Sequence, residues 1–171
     1  MPSDCTQQSR KTHADFAQAQ TKAQDLLCQF GFDSPPINPQ EIAEELGVDV
    51  FFVAMPEGCE NVSGFFDPEG NSIYVNKNER PKRQTFTIAH ELGHKILHED
   101  WAKSNDYKVL LRNTSIVEKD AYEQEANAFA ANLLVPKKML ERYKDFASID
   151  ELSDLFAVSR QMIGFRTQNG Y

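Results

Sequence analysis

The sequence predicts an α+β fold built on one small, mostly antiparallel sheet, and three observations carry that expectation. A single β-rich block holds the strong strand signals: VDVFFVA (48–54), VSGFFD (62–67) and SIYVN (72–76). The turn PEGN (68–71) joins the second and third of these as a hairpin. Segments of helical period flank the block on both sides.

Taken in order, residues 1–13 are polar and read as a flexible tail. From Ala14 the pattern turns helical, with Phe16, Ala17, Ala19, Ala23, Leu26, Leu27 and Phe30 near one face and Gly31 placed to end it. SPPINP (34–39) is a breaker. Asn38 can cap a short helix that starts at Pro39, presents Ile42, Ala43 and Leu46, and stops at Gly47. After the strands, the polar connection NKNERPKRQ (76–84) leads into a helix expected from Arg83 to Glu99. Residues 101–117 have no clear period and read as a crossing loop, with a weak strand signal from Lys108 to Arg112. A second strong helix is expected from Glu118 to Leu134, ending before Pro136. PKKMLERYKDF and IDELSDLFAVSRQMIGFRTQNGY then give short helices. The expected organisation is a tail (1–13), a core (14–135) and a C-terminal helical subdomain packed on it (136–171).

Composition narrows the function. A net charge of −8 opposes non-specific attraction to nucleic acid or an anionic membrane, because both are polyanions. Cys5, Cys28 and Cys59 are odd in number, far apart and without a CxxC, so they do not form a disulfide framework. No apolar run approaches the roughly 20 residues that span a bilayer. The expectation is a cytoplasmic protein with no membrane partner.

The strongest chemical signal is His90-Glu91-Leu92-Gly93-His94. Histidines at i and i+4 on a helix stand one above the other, close enough for both imidazoles to reach one ion. Glu91 follows the first histidine directly and lies beside such an ion rather than on it, where a general base is needed. Apolar residues on either side predict a buried helix, and buried imidazoles need partners. His98 continues the i, i+4, i+8 line. On an unbroken helix it lies about 12 Å along the axis from His90, so a supporting role is expected for it rather than a ligand role.

A catalytic zinc takes three protein ligands and keeps a position open. AYEQEANAFAANLLVP (121–136) offers the third, since its alanines make a thin helix able to pack closely on the first. Glu125 stands one turn before Phe129 and points toward the packed face, which makes it the expected ligand. Pairing with a Lys or Arg is the bland alternative for Glu125, and Asp120 and Glu123 are weaker ligand candidates. Glu123 is expected near solvent at the helix start.

TFTIAHELGHKILH (85–98) followed by EQEANAFAANLLVP (123–136) resembles the ImmA/IrrE family of bacterial and phage-associated metallopeptidases. PPINPQEIAEELGVDVFF, VSGFFD, SIYVNKN and FAVSRQM extend the likeness over residues 15–165. The resemblance implies a zincin-like fold of the gluzincin kind: a small sheet, the HExxH helix and a helix donating a glutamate. It implies Zn2+ on His90, His94 and Glu125, with Glu91 as the catalytic base. Members of the family are understood as site-specific endopeptidases that cleave a partner repressor of a mobile element, stress-response or toxin–antitoxin system. The implied partner is therefore a protein substrate, a Xre-type helix-turn-helix repressor or an antitoxin. Thermolysin-like gluzincins hold a histidine with an Asp four residues after the ligand Glu. Counted from Glu125 that place is Phe129, which leaves His90 without a named acceptor. An oxyanion also needs a donor, for which Tyr107, Arg112, Tyr122 and Tyr143 are candidates.

A DNA-binding or scaffold regulator with a structural or sensory zinc is the alternative. LSDLFAVSRQ (152–161) resembles the turn and second helix of a helix-turn-helix, with Ser159, Arg160 and Gln161 opening a recognition helix. Residues 136–171 carry six Lys/Arg against five Asp/Glu, a net +1, so direct DNA binding is not expected.

Overall fold

The computed structural model describes residues 11, 13–104 and 120–169. Helix α1 (Phe16–Gln29) opens where the Asp15 carboxylate accepts from the Gln18 N–H at 2.9 Å, and it buries Ala19, Ala23, Leu26 and Leu27. Phe16, expected on that face, is exposed instead. The short α2 (Pro39–Glu45) has Pro39 in its first turn and Asn38 as its cap, bonded to the Gln40 N–H at 3.1 Å.

Three strands follow: β1 (Asp49–Val53), β2 (Gly64–Asp67) and β3 (Ser72–Asn76). β2 and β3 form the expected antiparallel hairpin, with Phe65 opposite Tyr74. β1 lies on the other side of β3 and runs parallel to it, giving the order β1-β3-β2. The sheet is therefore mixed, not mostly antiparallel. The connection after Val53 carries the chain past the centre of the sheet, so β2 enters on the far edge and β3 returns between the two. Phe51, Tyr74 and Phe65 stack across one face at 5.4 and 5.0 Å, while Phe66 and Ile73 are buried in the core.

The long α3 (Pro81–Ala102) starts and ends outside the expected limits, with Pro81 in its first turn. It packs on β2 at Gly64, where an added Cβ would collide with the Thr87 methyl and lie 2.6 Å from the Tyr74 carbonyl oxygen. Gly64→Ala is expected to destabilise the fold by about 2 kcal/mol through overpacking. A chemical-denaturation midpoint equal to wild type would contradict that contact.

Helix α4 (Ala121–Leu134) begins at its cap Asp120, which accepts from the Tyr122 N–H at 2.9 Å. It packs against both α3 and α1. The close approach to α3 occurs at Gly93, where a Cβ would stand 3.1 Å from Phe129 and 3.2 Å from the Ala126 Cα. Small residues on both helices thus let the backbones near one another, which places the start of α4 beside the histidines of α3.

Helices α5 (Lys137–Leu140), α6 (Ile149–Leu155) and α7 (Arg160–Asn169) complete the described chain. Ser148 and Glu151 form a capping box at α6. Leu152, Phe156 and Ile163 join the same apolar core, and Lys82 bonds Ser153 and Asp154 at 2.9 and 2.7 Å. Arg160 is held by Asp150 at 3.0 Å. Among the described residues, no helix is long and apolar enough to cross a membrane. The segment with the strand signal at Lys108 to Arg112 lies outside the described residues.

Candidate metal centre

His90 and His94 stand one turn apart on α3, so one face of the helix carries both rings. Their Nε2 atoms are 3.2 Å apart and their ring planes are nearly perpendicular, at 81°. Glu123, from the first turn of α4, meets them both. One of its oxygens is 3.2 Å from His90 Nε2 and the other 3.2 Å from His94 Nε2. Donor atoms held roughly 2.0–2.1 Å from one tetrahedral ion stand about 3.3 Å apart. This two-imidazole, one-carboxylate set therefore has the span and the donor chemistry that zinc requires.

The remaining ring nitrogens fix the tautomers. His90 Nδ1 lies 3.0 Å from Asn127 Oδ1. An amide oxygen only accepts, so Nδ1 carries a proton and Nε2 is the ring atom turned to the cluster, able to donate to Glu123 or, once deprotonated, to ligate an ion. His94 Nδ1 lies 3.2 Å from His98 Nδ1, and His98 Nε2 lies 2.7 Å from Glu125. The carboxylate accepts from His98 Nε2–H, which leaves the bare His98 Nδ1 to accept from His94 Nδ1–H. Both ligand candidates are thus presented through Nε2, as outer partners commonly arrange.

Charge follows the same geometry. Burial raises the Glu123 carboxyl, but its bonds to His90 and His94 outweigh that and hold it well below the ordinary carboxylate range. Burial opposes charge on His90, yet the Glu123 bond and the Glu91 and Glu123 carboxylates lift its pKa above the usual imidazole value. The carboxylates beside His90 thus favour positive charge on that ring. His98 goes the other way: burial, with smaller contributions from His94 and Lys11, pushes it down to about 4 against the pull of Glu125. It is a neutral donor–acceptor link.

Glu125 is not brought to the histidine pair. It is wholly buried on another side of α4, where it bonds His98, Lys11 and the Asp15 N–H. Two residues along a helix is about 200° of rotation, so Glu123 and Glu125 cannot serve the same face. Glu123, expected near solvent, is buried. The signal for it was available. Four residues on from Glu123 is Asn127, the acceptor that His90 lacked when the count began at Glu125. His98 meets His94 as its i+4 neighbour, and α3 leaves helical geometry at His98 (φ −137°, ψ 27°), where an unbroken helix was expected. Glu91 is buried on α3 directly after His90. Tyr122 stacks on Trp101 at 4.4 Å and meets His98 edge-on, while Tyr143 packs on Phe156. Tyr107 and Arg112 lie outside the described residues.

A small sheet backed by an HExxH helix, with a second helix presenting a glutamate to its two histidines, defines a zincin-like domain. Residues 43–168 match the Peptidase_M78 family, described as the IrrE N-terminal-like domain, and the chain belongs to that family. It is 35% identical over 142 residues to the radiation response metalloprotease IrrE of Deinococcus radiodurans, covering 75% of this chain and 39% of that protein. The chain thus spans about two fifths of that relative. It is 29% identical over 129 residues to an immunity region protein of Bacillus phage phi105, covering 73% of this chain and 76% of that one. A solved Mycobacterium tuberculosis transcriptional regulator shares the fold at a TM-score of 0.63 and 19% identity, covering 88% of this chain and 46% of the other.

Proposed function

We propose that this chain is a zinc-dependent endopeptidase in which His90, His94 and Glu123 hold the metal and Glu91 is the general base. The convergence of two imidazole Nε2 atoms and one carboxylate carries the reading. Membership of a peptidase family and the similarity to a relative named a metalloprotease support it. Bound zinc would supply Lewis acidity, polarising the scissile carbonyl and lowering the pKa of the attacking water. Glu91, directly after His90, would serve as the general base that accepts a proton from the attacking water and passes it to the leaving amine. The substrate class we assign is a specific partner protein, a helix-turn-helix repressor or an antitoxin. The likeness to a phage protein named for its immunity region supports that assignment. The cytoplasm, where such a partner works, is the proposed location.

The test begins with elemental analysis of the purified protein, which should return about one zinc per chain. Restoring zinc to chelated protein should raise the melting temperature, because a ligand at 100 times its dissociation constant adds about 2.7 kcal/mol to the folded state. Co-expression with candidate helix-turn-helix regulators should then yield one discrete fragment by mass spectrometry. Fragment formation should stop when a chelator removes the metal. Cleavage that persists in metal-free protein would sink the proposal.

A further inference from the structure

The residues just before α1 reach the far side of the metal centre. Lys11 Nζ stands 2.8 Å from one oxygen of Glu125 and 2.6 Å from the other. The Asp15 backbone N–H bonds the same carboxylate. Asp15 is also the cap of α1, and the packing of α1 on α4 holds that N–H in place. Lys11 and Asp15 both lie outside the stretch that matches the family, which begins at residue 43. A carboxylate as deeply buried as Glu125 is costly unless its lone pairs are filled. A cation, a backbone amide and an imidazole fill them.

The donors allow only one direction. An ammonium and an amide N–H can only give protons, so Glu125 accepts from both and remains a carboxylate. It then accepts from His98 Nε2–H at 2.7 Å, which leaves His98 Nδ1 bare. That nitrogen accepts from His94 Nδ1–H at 3.2 Å, which leaves Nε2 as the His94 atom turned to Glu123 and available to an ion. Trp101 and Tyr122 hold the His98 ring edge-on at 6.1 and 5.0 Å, so the link cannot swing away freely.

We infer that Lys11 and the entry to α1 are part of the metal centre. Through Glu125 and His98 they hold His94 in the tautomer and orientation that bind the ion, so the seating of this segment sets the metal affinity. The inference rests on the ligand set proposed above. Lys11, Glu125 and His98 are positioning residues, since none of them touches substrate or metal. A purely structural Lys11 would neutralise a buried charge and alter folding stability alone.

The experiment measures zinc dissociation constants by competition with a chromophoric chelator, with melting curves of the metal-free proteins alongside. Lys11→Ala should weaken zinc binding about 10-fold and Glu125→Gln by about 10- to 100-fold, the range that outer partners command. The double variant should be no weaker than Glu125→Gln alone, because both changes cut one chain. Lys11→Arg should recover most of the affinity. Lys11 is only part-buried at the surface end of the chain of bonds, so its replacement leaves the core intact. Wild-type zinc affinity in Lys11→Ala, with zinc lost from Glu123→Ala, would overturn this inference and leave the ligand set standing. Wild-type affinity in Glu123→Ala would overturn the ligand set itself, and the positioning role with it.

Discussion

Glu123→Ala is expected to leave far less than one zinc per chain while the protein remains folded; Glu125→Ala is expected to cost mainly folding stability, with zinc affinity falling only by the roughly 10–100-fold of an outer partner. Removing Glu123 takes away the only carboxylate that contacts both His90 and His94 among the described ion pairs. Two imidazoles alone hold zinc weakly, so the loss in affinity should exceed the roughly 10–100-fold that outer partners cost. The space left at the start of α4 borders the half-buried His90, and water can enter it. Glu125 is buried with three donors aimed at it. Its removal strands a lysine, an amide and an imidazole, and breaking such a buried pair costs about 3–5 kcal/mol. Measured on both variants, the larger loss of zinc should therefore fall on Glu123→Ala and the larger loss of thermal stability on Glu125→Ala. If Glu125→Ala lost the metal at unchanged stability while Glu123→Ala kept it, the ligand register read from the sequence would be restored.

That register shows where local sequence reasoning ends. HELGH could be placed on a helix because two rings at i and i+4 must share a face, whatever surrounds them. The β2–β3 hairpin was readable because PEGN is short and its partners adjoin it. Position on α4 was a different problem. Apolar periodicity reports that a helix face is buried, not which neighbour buries it, and α4 has two such neighbours in α1 and α3. Glu125 faces the entry to α1 and His98, and Glu123 faces the His90–His94 pair. A rule about chemistry rather than burial would have separated them, since only Glu123 has an acceptor for His90 one turn on.

Contacts made at long range were invisible for the same reason. Lys11 belongs to a segment read as a tail, and its partner lies 114 residues away. At the break, His98 meets Glu125 and Tyr122 of α4, contacts that nothing within α3 announces. The parallel placement of β1 beside β3 depends on a non-local pairing that no turn signal announces.

Glu91→Gln should abolish turnover and leave the metal in place. Glutamine keeps the size and one acceptor oxygen of the buried Glu91, so the packing of α3 should survive. It cannot take up a proton near neutral pH. Cleavage of the partner protein should fall by about 1,000-fold, within the range that a positioned general base contributes. Zinc content should stay near wild type, because Glu91 is not among the three groups that converge on His90 and His94. Part of the negative charge that lifts the His90 pKa comes from Glu91, so the variant should also bind the cation slightly less tightly. A variant that kept its zinc and still cleaved at the wild-type rate would mean that some other group takes the proton. A variant that lost its zinc would mean that Glu91 belongs to the ligand set, so the base must be sought elsewhere in the site.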